Sequence, residues 1–195
     1  MNSKETLIHP CTSAPLTIRV AYEWDKKKAP NRDPRWQFIK GVAVKVAKEV
    51  TEQSKKRKSP ASFKCRISRM RAMHGTMLLN NLIKRCMDTD ILIFDITENN
   101  TNVLFELGVA LALKGSESGR VFIFQEVNPK TKNPINSTPS DLQGYFFTRY
   151  ARMRTVGAYE LIDKIGFRAA FRSRLIEIAR ERGMWSDAAG VSVSI

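Results

Sequence analysis

The segment DILIFD, residues 90–95, constrains the fold of this chain more than any other stretch of its sequence. A continuous apolar run bounded by acids is typical of a strand buried on both faces, as in a parallel sheet that is covered by helices. RVFIFQ (120–125) has the same character, and LTIRVAY (16–22) is apolar and β-branched. FKCRI (63–67) is a shorter strand candidate, and GYFFTRY (144–150) is expected to return to the sheet.

Segments with helical spacing of apolar residues separate these strands. The clearest of these segments covers residues 35–53. Asp33, just before it, suits the cap of a helix, and Pro34 suits the first helical position. Further helices are predicted over 76–87, with Leu78, Leu79, Leu82 and Ile83 inward, and over 103–114 and 158–183. Alternating strands and helices predict an α/β fold with a mostly parallel sheet.

The domain organisation predicted from this pattern is simple. No internal repeat and no low-complexity segment divides residues 1–195, so we expect a single domain. Residues 1–15 are expected to form a loose leader and 184–195 a frayed tail. The loop 126–141 is too long for a mere connector, and we expect either a lid or a contribution to a neighbouring subunit's site.

Composition excludes several classes of protein. Hydrophobic residues make up 43% of the chain and charged residues 27%, which is ordinary for a globular protein. No apolar run approaches the ~20 residues needed to cross a bilayer, and the N-terminus does not resemble a secretory signal. The three cysteines are far apart and lack the spacing of metal ligands. We therefore expect a cytoplasmic protein with no membrane partner, no metal and no cofactor.

Positive charge is concentrated in the first half of the chain. The net charge is +14, and residues 19–72 hold 17 Lys and Arg against 5 Asp and Glu. Such an excess favours an anionic partner, although a solvated basic face without a partner gives the same pattern.

The loops that leave the strands of a parallel sheet lie at its carboxyl edge, where ligands bind. Here these loops are 23–34, 68–75, 95–102 and 126–141. They carry basic residues that could hold phosphate groups. These residues are Lys26, Lys27, Lys28, Arg32, Arg69 and Arg71. The run KKRK at 55–58 is expected at the opposite edge.

Glu106 is the most informative single residue. Asn102 is expected to cap its helix, and a carboxylate near a helix start gains a few tenths of a kcal/mol from the dipole. The helix is apolar nearly all round, so we expect it to be buried, where an unpaired carboxylate costs several kcal/mol. Glu106 therefore either pairs with a hidden cation or lines a cavity as a perturbed acid.

Asp95 ends the buried strand at the same edge. Asp95 has two alternative roles. It either caps a turn in the loop 96–102, or it acts beside Glu106 in proton transfer or in binding a sugar hydroxyl. Asn99, Asn100 and Asn102 suit turns, and His74 is interpreted as a basic-loop residue. No phosphate-binding GxxxxGK[ST] and no GxGxxG motif occurs, which disfavours P-loop enzymes and dinucleotide oxidoreductases.

The stretch CMDTDILIFDITENNTNVLFELGVALALKG resembles the core of the nucleoside 2-deoxyribosyltransferase-like superfamily and of its TIR-like nucleotide-binding relatives in bacterial defence. In these proteins an apolar strand ends in Asp, and a polar loop leads to a helix with an E-[LI]-G signature. PSDLQGYFFTRY is similar to the closing segment of the TIR-like branch, so the resemblance covers about residues 84–150.

The resemblance implies a flavodoxin-like, three-layer sandwich and a glycosyl-transfer mechanism. Glu106 matches the nucleophile that attacks the anomeric carbon and displaces the base, and Asp95 matches the strand-end Asp. The transferases carry a second Asp six residues before the nucleophile, where this chain has Asn100, which puts transfer of deoxyribose between free bases in doubt. Asn100 and Asn102 are candidate substrate-binding residues, and Tyr22 is a candidate for the sugar pocket.

Three functional hypotheses follow. The first is an enzyme that cleaves the N-glycosidic bond of a nucleotide, NAD⁺ or a nucleoside phosphate, as an antiviral defence effector. The basic loops, including Lys26, Arg69 and Arg71, would hold the phosphates. The second is a non-catalytic sensor that binds a nucleotide signal in the same cleft. The third is a nucleic-acid partner bound through the basic first half and the helix 158–183, which can coexist with the first. The superfamily often completes its site across a subunit interface, so we expect a homo-oligomer.

Overall fold

The computed structural model describes residues 14–23, 33–56, 63–70, 78–115, 119–153 and 158–185. Its strands are β1 (Leu16–Ala21), β2 (Cys65–Arg69), β3 (Ile91–Asp95), β4 (Val121–Glu126), β5 (Phe147–Arg152) and β6 (Tyr159–Leu161). Its helices are α1 (Pro34–Lys56), α2 (Leu78–Met87), α3 (Thr101–Lys114) and α4 (Lys164–Glu181), with a 3₁₀ turn at Ser140–Leu142.

The six strands form one sheet in the order β2-β1-β3-β4-β5-β6. Neighbouring strands are parallel from β2 to β5, and β6 joins the edge antiparallel to β5. The order 2-1-3-4-5 is that of flavodoxin-like sheets. The predicted α/β class and the mostly parallel, flavodoxin-like sandwich are therefore confirmed.

Helices cover both faces of the sheet. The side chains of Ile91 and Ile93 in β3 belong to the core cluster that contains residues of α1 and α4. Leu92 and Phe94 point the other way and belong to the cluster that contains residues of α2 and α3. Every residue of β3 is buried, as the DILIFD pattern predicts.

The start of α1 also follows the sequence pattern. The Asp33 carboxylate accepts hydrogen bonds from the backbone N–H groups of Arg35 at 2.9 Å and Trp36 at 3.3 Å. Pro34, which has no N–H to leave unpaired, occupies the first helical position. This cap holds the first turn of α1 at the carboxyl edge of the sheet.

The predicted single helix over 158–183 is wrong. Tyr159–Leu161 forms β6, with Tyr159 opposite Arg152 on β5, and α4 begins only at Lys164. The reason is the otherwise unpaired edge of β5, which satisfies the backbone of 159–161 better than one extra helical turn would. The Asp163 carboxylate caps α4 by accepting a hydrogen bond from Gly166 N–H at 2.7 Å.

The predicted tail also starts too early. Gly183 adopts φ +67° after α4, a conformation that L side chains rarely adopt, and it turns the chain back toward the core. Met184 and Trp185 are buried there as a result. Residues 186–195 and 1–13 lie outside the described residues.

Two predictions about helix burial are wrong as well. α3 buries one face, through Val103, Leu107 and Ala110, while Phe105 is 58% and Leu113 41% exposed. Within α2, Leu82 is buried, but Leu79, predicted to face inward, is 49% exposed. Both helices form outer layers of the sandwich, so each keeps a face toward solvent even where that face is apolar.

None of the helices in the described part of the chain combines the length and the apolar character that crossing a membrane would need.

The glycines of α1 and α4 give a paired test of these helices. A Cβ at Gly41, which is exposed within α1, would meet no atom within 4 Å. Gly41→Ala should therefore raise the free energy of unfolding by about 1 kcal/mol, because alanine loses less entropy in a helix. Urea denaturation followed by circular dichroism measures the change.

The contrasting variant is Gly166→Ala. A Cβ there would collide with the Asp163 carboxylate that caps α4, so this substitution should lower stability. Equal effects of the two substitutions would contradict the described geometry of both helices.

Candidate functional site

The carboxyl ends of β1 and β3 form the candidate site. These two strands are neighbours, but the chain leaves β1 toward β2 on one side and leaves β3 toward β4 on the other. Such a change of direction opens a crevice, where open α/β sheets bind ligands. The residues around it come from the ends of β1 and β3, the start of α1 and the segment after β4.

The Asp95 carboxylate is held at this edge by several hydrogen bonds and one ion pair. The side chain has no exposed surface, and its carboxylate accepts hydrogen bonds from Tyr150 Oη at 2.8 Å and from Thr97 Oγ1 at 2.5 Å and N–H at 3.1 Å. Thr97 Oγ1 also accepts a hydrogen bond from Glu126 N–H at 2.9 Å. Arg35 Nε lies 3.5 Å from the carboxylate. We call Asp95, Thr97, Tyr150, Arg35 and Glu126 the Asp95 network.

Arg35 carries the positive charge of the Asp95 network. One of its terminal nitrogens lies 2.7 Å from Glu98 Oε1 and 3.5 Å from Glu126 Oε2, so three carboxylates surround one guanidinium. Burial alone would lower the pKa of Arg35, but Asp95 first, and then Tyr150 and Glu98, raise it above its ordinary value. Arg35 therefore stays charged and neutralises part of this acidic cluster.

The pKa values of the acids in the network are raised as well, which for an acid favours the neutral form. Burial raises the pKa of Asp95, and Arg35 and the hydrogen bonds from Thr97 and Tyr150 oppose that shift. Burial also raises the pKa of Tyr150, with Asp95 adding to the effect, so the phenol remains a donor. Glu126 has a raised pKa for the same reason, with Arg35 opposing.

The segment between β4 and β5 lies against this edge. Asn99 Nδ2 donates to Ser137 O at 2.8 Å, and Asn136 Nδ2 donates to Thr97 O at 2.7 Å. Asn99 itself has φ +51°, and its side-chain oxygen is buried without a hydrogen-bond partner among the described residues. Residues 136–138 thus cover the loop that leads from Asp95 to α3.

An aromatic cluster lies at the end of β1. The rings of Tyr22 and Trp36 are nearly parallel, at 9° and 6.1 Å between centroids, and the Arg69 guanidinium lies 4.6 Å from the Trp36 centroid and 5.6 Å from that of Tyr22. The Tyr22 hydroxyl is buried and has no hydrogen-bond partner among the described residues. Burial raises its pKa, and Asp33 adds to the shift. Trp36 is only 5% exposed, so this cluster offers a ligand the positive charge of Arg69 and not a free stacking surface.

Glu106 lies in the second turn of α3, on the side that faces α2. Burial raises its pKa to about 7, and Arg85 of α2 opposes the shift. Glu106 in turn raises the pKa of Cys86, after the larger effect of burial. Within the described part of the chain Glu106 makes no hydrogen bond and no ion pair. It is therefore a half-buried acid that is about half ionised at neutral pH.

The structure does not bring Asp95 and Glu106 together. Asp95 points toward α1 and β5, with Ile91 and Ile93 on the same side of β3, whereas Glu106 lies among residues of α2 and α3 on the other side of the sheet. The two carboxylates have separate surroundings, so they do not form a pair that flanks one bond.

The other predicted site residues have varied positions. Asn100, not Asn102, caps α3: its side-chain oxygen accepts hydrogen bonds from Asn102 N–H at 3.0 Å and Val103 N–H at 3.3 Å. The predicted cap at Asn102 is wrong, because the helix starts at Thr101, two residues before the predicted first residue 103. Arg69 ends β2 beside Tyr22.

Several predicted residues lie outside the described part of the chain. These are Lys26, Lys27, Lys28, Arg32, Arg71 and His74. The positive charge of the remaining chain is partly used in packing: Arg168 of α4 pairs with Glu49 of α1 at 2.8 Å, and Arg172 Nη2 donates to Gln53 Oε1 at 2.8 Å.

Sequence patterns did not assign four residues to the carboxyl edge of the sheet: Arg35, Thr97, Tyr150 and Glu126. The Asp33-Pro34 cap was one available signal, since it places the next residue, Arg35, at the carboxyl edge. Tyr150 ends the segment PSDLQGYFFTRY. Its hydroxyl reaches Asp95 only because a single strand, β4, lies between β3 and β5 in the sheet.

A metal site and a cavity near the opposite edge of the sheet are alternative locations for a functional site. No group of three or more His, Cys, Asp or Glu side chains in the described ranges is arranged to hold a metal ion. A cavity of about 930 Å³ is lined by the first residues of β4 and β5, including Val121 and Phe147. It lies toward the amino edge, where parallel sheets do not place their ligands.

No protein-family model matches this sequence, and no curated protein matches it.

The Tyr150 hydroxyl should stabilise the fold through Asp95. Tyr150→Phe removes a donor to a buried carboxylate, and we expect it to lower the free energy of unfolding by about 1–3 kcal/mol. Tyr159→Phe is the matched control, because the Tyr159 hydroxyl makes no hydrogen bond with described residues. Chemical denaturation of both variants measures the difference, and equal losses would contradict a role for the Tyr150–Asp95 hydrogen bond.

Glu106 should make stability depend on pH. Its pKa of about 7 in the folded protein exceeds the ordinary glutamate value of 4.5, so the folded protein binds the extra proton and stability should fall as pH rises from about 4.5 to 7. Glu106→Gln should remove this loss and be more stable than the wild type by about 1–2 kcal/mol at pH 8, allowing for partial exposure.

Denaturation at pH 5 and pH 8 tests this expectation. Glu52→Gln, at an exposed position of α1, serves as the control and should follow the wild type at both values. A stability difference between Glu106→Gln and wild type that does not change with pH would contradict the raised pKa.

Proposed function

We propose that this protein cleaves the N-glycosidic bond of a nucleotide, either NAD⁺ or a nucleoside phosphate, with Glu106 as the nucleophile. The observation that carries the proposal is the state of Glu106. It is half-buried, has a pKa of about 7 and has no ion pair among the described residues. A half-buried carboxylate without a direct ion pair is a stronger nucleophile than one held in a salt bridge.

The proposed reaction has two steps. A Glu106 carboxylate oxygen forms a bond to the anomeric carbon, and the C–N bond breaks with its electron pair leaving on the base. Water, or another acceptor, then attacks the same carbon and releases Glu106 as a carboxylate while its own proton is lost to solvent. Nicotinamide leaves NAD⁺ as a neutral molecule, so this substrate needs no acid to protonate the leaving group.

The elements at the carboxyl edge support binding of such a substrate. Arg69, which lies over the Tyr22 and Trp36 rings, places positive charge at this edge, where it could hold a phosphate. In this proposal Asp95 acts as a positioning residue. Its hydrogen bonds to Thr97 hold the start of the loop whose end, Asn100, caps the helix of Glu106.

A second candidate is a nucleotide sensor without turnover. The observation that favours it is the complete set of partners around Asp95, which leaves that carboxylate no free oxygen for proton transfer. A glycosidase that cleaves poorer leaving groups than nicotinamide normally needs a second carboxyl group. A binding protein would need neither carboxylate to react.

The resemblance to the nucleoside 2-deoxyribosyltransferase-like and TIR-like superfamily extends both proposals. It suggests assembly of identical subunits around the site and a nucleotide-depleting role in bacterial defence. The positive charge of the first half of the chain suits the phosphates of a nucleotide as well as it suits a nucleic acid.

Release of free base distinguishes the two candidates. We expect the wild type to release base from NAD⁺, ribonucleotides or deoxyribonucleotides, with a rate that rises between about pH 6 and 8 as Glu106 ionises. Glu106→Gln should lower the rate by at least about a thousandfold. Chromatography of the products measures both effects, with Glu52→Gln as the control.

Two other outcomes have clear meanings. Base release that survives Glu106→Gln would refute the nucleophile. Binding of a nucleotide by both proteins without any release would favour the sensor. Calorimetric titration of each nucleotide provides that comparison.

A further inference from the structure

A second concave surface lies away from the candidate site, between α1, β6 and the first turns of α4. This α1–α4 groove has a volume of about 700 Å³ and shares no lining residue with the Asp95 network or with Glu106. It opens on the outer side of the sandwich, next to the edge strand of the sheet. Occupation of one surface therefore need not block the other.

The floor of the α1–α4 groove is apolar. Phe38 and Val42 of α1 and Tyr159 and Leu161 of β6 line it, and the Phe38 ring packs against the Tyr159 ring at 5.7 Å between centroids. Ile165, on the first turn of α4, also lines the groove and is 84% exposed. So large an exposed aliphatic side chain beside an apolar floor is typical of a surface that a partner covers.

Small residues line the two helical walls. Gly41 of α1 and Ala169 of α4 both lie in the groove. Glycine within a helix lowers stability, and internal packing does not require it here, because a Cβ at Gly41 would meet no atom within 4 Å. The missing side chain leaves the backbone of α1 open, and this allows another backbone to approach closely.

The rim of the groove is basic. Four cations line it against one carboxylate, Glu160: they are Lys45, Lys164, Arg168 and Arg172. Lys164 pairs with Glu160 at 3.2 Å, while Lys45 makes no ion pair with any residue that the structure describes. The equally basic rim of a second copy would be repelled by this rim, whereas an acidic segment would be attracted to it.

We propose that the α1–α4 groove binds an amphipathic helix of a partner protein, with the apolar face of that helix on the floor and acidic residues toward the rim. An apolar floor flanked by charges is the arrangement by which grooves receive such helices. Gly41 and Ala169 let the partner helix lie close to both walls, and Lys45 is the cation available to its acidic residues.

Three synthetic helical peptides test this inference. They share one leucine face and carry Glu, Gln or Lys at all other positions. We expect the Glu peptide to shift the NMR resonances of Phe38, Val42 and Ile165 in the full-length protein and to bind at least tenfold more tightly than the Gln peptide. The Lys peptide should not bind.

Substitutions at Gly41 separate docking from general charge attraction. Gly41→Leu fills the groove from an exposed helix position and should lower the affinity for the Glu peptide at least tenfold. Gly41→Ala should change this affinity less than threefold. Lys45→Gln should lower the affinity for the Glu peptide and leave the affinity for the Gln peptide unchanged.

Three results would overturn the inference. One is equal binding of the Glu peptide by wild type and Gly41→Leu. Another is the absence of shifts at the groove with all three peptides. The third is a dimer of the full-length protein, seen by sedimentation, that Gly41→Leu dissociates, since the occupant would then be a second copy.

Discussion

The buried carboxylate of Asp95 is the constraint on which the carboxyl edge depends. A carboxylate without exposed surface costs several kcal/mol unless hydrogen bonds and a cation compensate it. The compensating groups come from three segments: Thr97 in the following loop, Tyr150 on β5 and Arg35 at the start of α1. The carboxylate is therefore stable only when α1 and β5 are both assembled around β3. The loop after Asp95 then leads to Asn100, whose cap starts the helix that carries Glu106.

The two acids at this edge consequently differ in chemistry as well as in position. Asp95 is saturated with partners, and Glu106 is half-buried with none among the described residues, so their raised pKa values have different consequences. The first group strengthens a structural network, and the second remains available for reaction. One available carboxylate suits displacement of a leaving group that departs as a neutral molecule. NAD⁺ is therefore the substrate that this arrangement suits best, and binding without turnover is the alternative function.

The molecule also separates two kinds of surface. The carboxyl edge combines polar side chains, stacked aromatic rings and Arg69, which suits a small polar ligand. The α1–α4 groove combines an apolar floor, an open helix backbone at Gly41 and a basic rim, which suits a peptide. Part of the positive charge also serves packing, because Arg168 and Arg172, which line this groove, hold α4 against α1. Net charge alone could not distinguish these three uses.

The sequence by itself determined the class of fold. The unbroken apolar run of β3, and the alternation of apolar strand segments with segments of helical spacing, leave few alternatives to a parallel sheet between helices. The sequence also singled out Asp95, Glu106 and the capped start of α1, because each follows from local rules. Only the tertiary structure decided that Tyr159–Leu161 is a strand, because the free edge of β5 overrides local helical preference. Likewise, only packing decided that Asp95 and Glu106 lie on different sides of the sheet. A side chain's partners depend on which strands become neighbours, and that depends on the folding of the whole chain.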